Sequence, residues 1–315
     1  MSKSLAELAE HARNELGAAV VGHEDALQTL FLTLVCGGHA LLEGVPGLGK
    51  TLAVRTLARI LSVRFRRVQG TPDLMPADII GANVFSMSSG QFTLHEGPVF
   101  TDLLLVDEIN RMPPRTQAAL LEAMEERQVT IDGVPRPLSP SFTVVATQNP
   151  VEFEGTYPLP EAELDRFAVK IKMGYPDAAQ EEAILSRHQT IGEQAVPASV
   201  TASIGAVDLA AAREEASRVR IEPALVGYVS AIARQTREWP AVALGASPRA
   251  AIHLMQLAKA AAAVDGRDYL LPDDVKGVAP AVLRHRLVIR GEADLEGVTA
   301  DQVIADILAN VPVPK

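Results

Sequence analysis

Leu5, Leu8, Ala12 and Leu16 recur near the helical period, and Gly17 is placed to close that helix. A second helix is predicted over residues 24–34, after Val20-Val21-Gly22. Ala40-Leu41-Leu42 then forms a short apolar run of the kind a buried strand requires. Over residues 51–61 the period returns to helical, with Ala53, Leu57, Ile60 and Leu61 on one face and Arg55 and Arg59 off it. Leu103-Leu104-Leu105-Val106 and Thr143-Val144-Val145-Ala146 are solid apolar runs, which suit strands covered on both faces, as in a parallel sheet. Between them, residues 116–127 are predicted helical with Leu120, Leu121 and Met124 inward. Alternating strand and helix predicts a doubly wound α/β unit in the first half of the chain.

From Pro176 onward the signals turn helical. Asp177 and Gln180 have the spacing of a reciprocal helix cap. Residues 191–207, rich in Ala, Pro and Ser, are expected to be a loop. Pro223 opens a helix with Leu225, Val229 and Ile232 inward. Ser247-Pro248 supplies an N-cap followed by proline at the first helical position, for a helix running to about Val264 with Gly266 beyond it. These changes place a boundary near Tyr175, giving an α/β unit over 1–175 and a helical unit over 176–315.

Composition narrows the function classes. The chain has 315 residues, 48% hydrophobic and 22% charged, enough for a sizeable core. Lys and Arg number 29 against 39 Asp and Glu, a net charge of −10, which disfavours a general nucleic-acid binder. Cys36 is the single cysteine, so neither a disulfide framework nor a cysteine zinc site can form within the chain, and a reducing cytoplasm is the expected compartment. Residues 1–17 lack the apolar centre of a signal peptide, and no run reaches the ~18 apolar residues of a membrane span.

Gly44-Val45-Pro46-Gly47-Leu48-Gly49-Lys50-Thr51 follows a predicted strand and opens a predicted helix, the context in which G-x-x-x-x-G-K-[ST] cradles phosphate. Glycines let backbone N–H groups close on phosphate oxygens, and the helix N-terminus adds partial positive charge. Lys50 is expected to reach the β- and γ-phosphates, and the Thr51 hydroxyl to ligate Mg²⁺. Asp107-Glu108 ends a predicted parallel strand, where ligands bind in this class of fold. Asp107 is then expected to hold Mg²⁺ through water and Glu108 to polarise the attacking water. Asn149 follows the next strand, where an amide could sense the γ-phosphate; Asn149-Pro150 is equally good turn chemistry.

These residues resemble the MoxR family of AAA+ ATPases. The likeness is carried by Val21-Gly22, by 42–51, by Thr71-Pro72-Asp73-Leu74-Met75-Pro76 with Asp78, and by Asp107-Glu108-Ile109-Asn110-Arg111. It continues through 118–124, 146–150, 154–162, Leu164-Asp165-Arg166-Phe167 and Gly245-Ala246-Ser247-Pro248-Arg249-Ala250. His23 departs from it, standing where glutamine is expected. The resemblance implies a P-loop αβα nucleotide-binding domain with a smaller all-helical lid, assembled as a ring, usually a hexamer. It implies ATP hydrolysis with Mg²⁺, and Val20, Val21 and Gly22 lining the adenine pocket beside Leu52 at the loop's helix. Arg166 would match the arginine finger and Arg249 the sensor-2 arginine, which in this branch can also serve a neighbour. Without the family, Arg166 fits a surface ion pair equally well, and Arg249 a solvated cation, although a cation in a first helical turn costs about 0.3–1 kcal/mol. Family members act as chaperone-like maturation factors on protein complexes, often beside a von Willebrand factor A-type partner and sometimes in metal insertion.

Two hairpins are expected. One centres on Ser88-Ser89-Gly90; the other turns at Asp132-Gly133, a type I′ signal, with Pro135 and Pro137 confining its return strand to an edge. The resemblance makes these the pore-facing insertions that engage substrate; they also fit plain surface decoration. His95 has no second ligand at metal-binding spacing. A nucleic-acid motor of the helicase or branch-migration type and a magnesium-chelatase-like subunit share the same phosphate machinery, and a nucleotide-gated scaffold without turnover would share its loop. A protein client is the expectation that the acidic balance favours.

Overall fold

The computed structural model describes residues 3–88, 90–150, 155–191, 196–197 and 199–314. Ser89 at the first hairpin's tip, Glu154 of the family motif, and residues 192–195 and 198 of the expected loop lie outside the described residues.

The chain opens with α1 (Leu5–Ala19), α2 (Glu24–Val35), β1 (Ala40–Glu43), α3 (Lys50–Ile60) and β2 (Phe65–Gln69). Next come α4 (Pro76–Ile80), the hairpin β3 (Gly81–Ser86) and β4 (Gln91–Glu96), then β5 (Leu103–Asp107) and α5 (Pro114–Glu126). A second hairpin, β6 (Gln128–Ile131) and β7 (Val134–Pro137), precedes β8 (Thr143–Gln148), α6 (Glu161–Leu164) and β9 (Val169–Lys172). The remainder comprises α7 (Ala178–Ile191), α8 (Ala206–Arg218), α9 (Pro223–Glu238), β10 (Val242–Leu244), α10 (Pro248–Val264) and α11 (Pro272–Leu283). It closes with β11 (Val288–Ile289), α12 (Gly291–Leu295) and α13 (Ala300–Asn310). No helix among the described residues is long and apolar enough to cross a membrane.

Five parallel strands form the central sheet in the order β2-β5-β8-β1-β9. Successive residues of its inner strands alternate between two cores, as strand geometry requires. Leu103, Leu105, Val145, Ala40 and Leu42 face the helices α1–α3; Leu104, Val106, Val144, Ala146 and Leu41 face α5 and the second hairpin. Burial on both faces explains the solid apolar runs. The edge strands escaped that signal. β2 carries Arg66, Arg67 and Gln69, and β9 alternates Val169 and Ile171 with Lys170 and Lys172, because an edge strand meets water.

Gly17 does not close α1. The helix continues through it to Ala19, which is buried, and the Val20 N–H completes the last turn on the Leu16 carbonyl at 2.7 Å. Two more alanines of high helix propensity outweigh one glycine here. The cap at α7 forms as expected: Gln180 N–H donates to Asp177 Oδ1 at 2.8 Å and Asp177 N–H to Gln180 Oε1 at 3.1 Å. The Ser247 hydroxyl caps α10 by accepting from Ala250 N–H at 3.3 Å. The short antiparallel pair β10–β11 interrupts an otherwise helical second half.

The helical half shares its core with the first. α10 packs on α8, α9, α11 and also on α1 and α2. Polar ties reinforce that contact: Leu5 N–H donates to Glu215 Oε2 at 2.9 Å, and Arg213 Nε to the Val35 carbonyl at 2.9 Å.

Candidate active site

The segment Gly44 to Thr51 joins β1 to α3 at the carboxyl edge of the sheet. Gly47 and Gly49 have φ of +88° and +78°, a region a side chain strains to adopt, and Gly49 is the N-cap of α3. At Gly44 the constraint is space: a Cβ would lie 2.6 Å from the Met173 carbonyl oxygen, with Leu48 on its other side. Pro46 and Gly47 form the exposed crest, and Leu52 is half-buried on α3. Lys50 Nζ lies inside the loop, donating to the carbonyls of Gly44 and of Val45 (2.8 Å for the latter). Val20 packs next to Gly49, and Gly22, at φ +73°, lies under the carboxamide of Gln180. Val21 between them is half-buried. His23 begins α2 at φ +64° and makes no side-chain cap.

Asp107 ends β5, separated from β1 by β8, and is buried. Its carboxylate accepts from three side chains: Arg67 Nε at 2.6 Å, Thr147 Oγ1 at 3.1 Å, and Thr51 Oγ1 at 3.2 Å. Thr51 and Asp107 thus present hard oxygen donors side by side, a set that fits Mg²⁺ completed by phosphates and water.

Glu108 has φ +58° and ψ +54°. Left-handed backbone at a residue with a side chain costs about 1–3 kcal/mol and persists only where surroundings over-determine it. Three contacts do so. Glu108 N–H donates to Thr147 Oγ1 at 2.9 Å, Arg111 Nη1 donates to Glu108 Oε2 at 3.1 Å, and the Glu108 carbonyl sits where only the bare Cα of Gly70 leaves room. Asn149 is buried one residue beyond β8, the strand between β1 and β5. Lys50, Thr51, Asp107, Glu108 and Asn149 therefore come together on three adjacent strand ends.

Thr147 and Arg67 are site residues that sequence reasoning left without a role. For Thr147 a signal existed: the β5–β8 register pairs Val106 with Ala146, so the next residues, Asp107 and Thr147, are neighbours. For Arg67 there was none, since β2 itself went unseen.

Arg166 and Arg249 lie elsewhere. Arg166 precedes β9, whose first residue pairs with Ala40 at the amino end of β1, and Ala168 N–H donates to the His39 carbonyl at 2.8 Å. The length of β1, about 13 Å at 3.3 Å per residue, separates that end from the phosphate loop. Arg249 is in the first turn of α10, which meets the same end of the sheet. Both guanidiniums bond to Glu125 at the end of α5, Arg166 Nε at 2.8 Å and Arg249 Nη2 at 2.6 Å. Arg249, then Arg166, hold the Glu125 carboxyl below the usual carboxylate range.

A family model described as "ATPase family associated with various cellular activities (AAA)" matches residues 39–169, and one described as "AAA lid domain" matches 234–307. Chaperone MoxR1 of Mycobacterium tuberculosis is 43% identical over 97% of this chain and 82% of its own length. The chain belongs to the MoxR family of AAA+ ATPases. Protein YeaC of Bacillus subtilis, 42% identical over 96% of this chain and 94% of its own, extends the same likeness. A solved structure from Cytophaga hutchinsonii superimposes with a TM-score of 0.90 at 41% identity, covering 99% of this chain and 96% of that one. The branch-migration subunit RuvB of Lacticaseibacillus casei is 29% identical over 51% of this chain and 44% of its own length. The AAA+ architecture, a parallel-sheet nucleotide domain followed by a helical lid, is the one the motifs implied.

Proposed function

We propose that the chain hydrolyses ATP within a ring, usually a hexamer, and uses the cycle to remodel or activate a protein complex in the cytoplasm. The observation that carries the hydrolytic part is Glu108, strained and fixed beside Asp107 and Thr51 on the strand ends that flank Lys50. The loop amides and Lys50 would bind the triphosphate, with Val20, Val21 and Gly22 at the adenine. Thr51 and Asp107 would hold Mg²⁺, which when bound neutralises charge on the β- and γ-phosphates. Asn149 would orient a water in line with the γ-phosphorus. Glu108 would take that water's proton as the new P–O bond forms, the bond to the β-phosphate oxygen breaks, and ADP departs. Arg166 and Arg249 lie at the end of the sheet opposite their own loop, which supports their serving a neighbour's nucleotide, and the two family matches support a division into nucleotide and lid units near Tyr175.

The client is proposed as protein. A net charge of −10 repels a phosphate backbone, and the relative MoxR1 is named a chaperone. A von Willebrand factor A-type adaptor and assistance to metal insertion extend this reading from the family. The test is Glu108→Gln with ATP and Mg²⁺: it should bind nucleotide and stall, whereas Lys50→Ala should weaken binding. Wild-type turnover by Glu108→Gln would overturn the assignment.

A further inference from the structure

Arg166 and Arg249 come from segments 83 positions apart in sequence, yet their tips share one carboxylate. Arg166 takes Glu125 Oε2 and Arg249 takes Oε1, so each oxygen orients one guanidinium. The segments that carry them are joined as well. Asp165, the residue before Arg166, accepts the Ser247 hydroxyl at 2.9 Å, and Ser247 caps the helix whose first turn carries Arg249. Arg286 secures Asp165 from beneath, its Nε 2.7 Å from Oδ1. Two cations side by side repel, and a cation in a first helical turn also opposes the helix dipole. A single carboxylate relieves both and leaves one positive charge in excess, part-exposed at the end of the sheet.

We propose that Glu125 is a positioning residue for hydrolysis: it holds Arg166 and Arg249 as one converged pair and yields them to the γ-phosphate of the adjoining subunit. This rests on the reading above in which both arginines act on a neighbour. Arg166, Glu125 and Arg249 are 27%, 36% and 41% exposed in their side chains, and ion pairs so open to water are weak enough to exchange for a phosphate. What the carboxylate contributes is geometry set before the ring closes, and misplacement of a catalytic group by an ångström costs on the order of 100-fold in rate. A carboxamide accepts through one atom only and turns N–H toward the other guanidinium, so it cannot hold both.

The experiment is steady-state hydrolysis by Glu125→Gln, with rings verified by light scattering. Turnover should fall roughly tenfold with KM for ATP unchanged, the pattern of a group that acts only in the transition state. The defect should follow the subunit that donates the arginines. Adding Lys50→Ala subunits, whose Glu125 is intact, should restore turnover in the Glu125→Gln pockets. Arg166→Ala mixed with Lys50→Ala is the parallel control. If the control recovers and Glu125→Gln does not, Glu125 has another role and the proposal falls alone. If neither recovers, the reading of action on a neighbour falls and takes the proposal with it. Unchanged or faster turnover by Glu125→Gln would also overturn it, and faster turnover would make the residue a brake.

Discussion

Arg286, buried, and Asp165, half-buried, form a joint between the lid and the nucleotide domain. The guanidinium donates Nε to Asp165 Oδ1 at 2.7 Å and places its remaining N–H groups on the carbonyls of Asp165, Phe167, Ala168 and Val282 and on His253 Nδ1. Burial lowers the Arg286 pKa and Asp165 works against that, but an arginine stays charged throughout the accessible range.

Arg286→Ala should therefore be among the most destabilising single changes. It removes the buried partner of a part-buried ion pair and strands several carbonyls, an effect of about 3 kcal/mol. At about 2–4 °C per kcal/mol, the unfolding midpoint should drop by roughly 10 °C, read by calorimetry on the isolated chain. A shift of a degree or less would show that the joint is not structural.

Acid should unfold the chain by a route set by its buried histidines. Burial pushes His39 down to about 4 and His253 down to about 3, with Arg286 adding to the latter, and His285 is lowered by the same two causes. Each binds a proton in the unfolded chain near pH 6.5 and not in the folded one, so unfolding takes up protons and stability falls as pH falls below 6.5. The loss continues to about pH 4 for His39 and pH 3 for His253, then stops for each. Between pH 7.5 and 5.5 each such histidine should cost about 1.4 kcal/mol. Thermal midpoints that stay level over that interval would contradict the burial of these rings.

Thr147 ties the metal-binding and base assignments together, since its hydroxyl donates to Asp107 and accepts from Glu108 N–H. Thr147→Val keeps the shape, removes the side-chain acceptor of the Glu108 N–H and leaves Asp107 with Arg67 and Thr51 alone; Thr147→Ser keeps the hydroxyl. Turnover should fall about 10–100-fold in the valine variant and recover most of its value in the serine variant. Equal rates in the two would remove Thr147 from the site.

The inner sheet was legible because β1, β5 and β8 bury both faces, and the phosphate loop because glycine, lysine and threonine at fixed spacing have few other uses. The strained backbone at Glu108 carries no local signal, since it is imposed by Thr147, Arg111 and Gly70 from other segments or the next turn. The partners of Arg166 and Arg249 were equally hidden. Acids adjacent in sequence, Glu161 and Glu163, are natural candidates, but α6 is a single short helix and the carboxylate that arrives is Glu125, 41 positions earlier. In the second hairpin the turn was readable: Asp132 and Gly133 have φ of +50° and +77°, as a type I′ turn demands, between the paired residues Ile131 and Val134.

Hydrolysis should depend on assembly. On the proposed reading Arg166 is an arginine finger, worth ~10³–10⁵ in rate, and it lies at the opposite end of β1 from its own phosphate loop. Specific activity should rise with protein concentration and reach a plateau when light scattering shows complete rings. Activity proportional to subunit concentration through the dissociated range would mean that each subunit hydrolyses alone.

Client contact should lie mainly on the first hairpin. Val129 and Ile131, which flank the Asp132-Gly133 turn, are buried in the core, so the second hairpin offers a client little beyond Val134 and the prolines after it. The first hairpin instead exposes Phe85 (51%), Phe92 (71%) and Met87 (92%), with the two aromatic rings paired across the strands at 5.3 Å. Asn83 Nδ2 donates to Asp132 Oδ2 at 2.7 Å, so the hairpins stand together as one arm. Exposed aromatics of this kind bind apolar protein surface, and a single arginine, Arg136 on β7, is too little positive charge in the arm to compensate a phosphate backbone. Phe85→Ser with Phe92→Ser touches no core residue, so basal hydrolysis should stay within about twofold while stimulation by a protein extract of the host is lost. Replacing 134–137 with Gly and Ser should have the same sense and a smaller effect. Tight, length-dependent stimulation by DNA at near-physiological salt, surviving loss of the two aromatics, would instead make this protein a nucleic-acid motor.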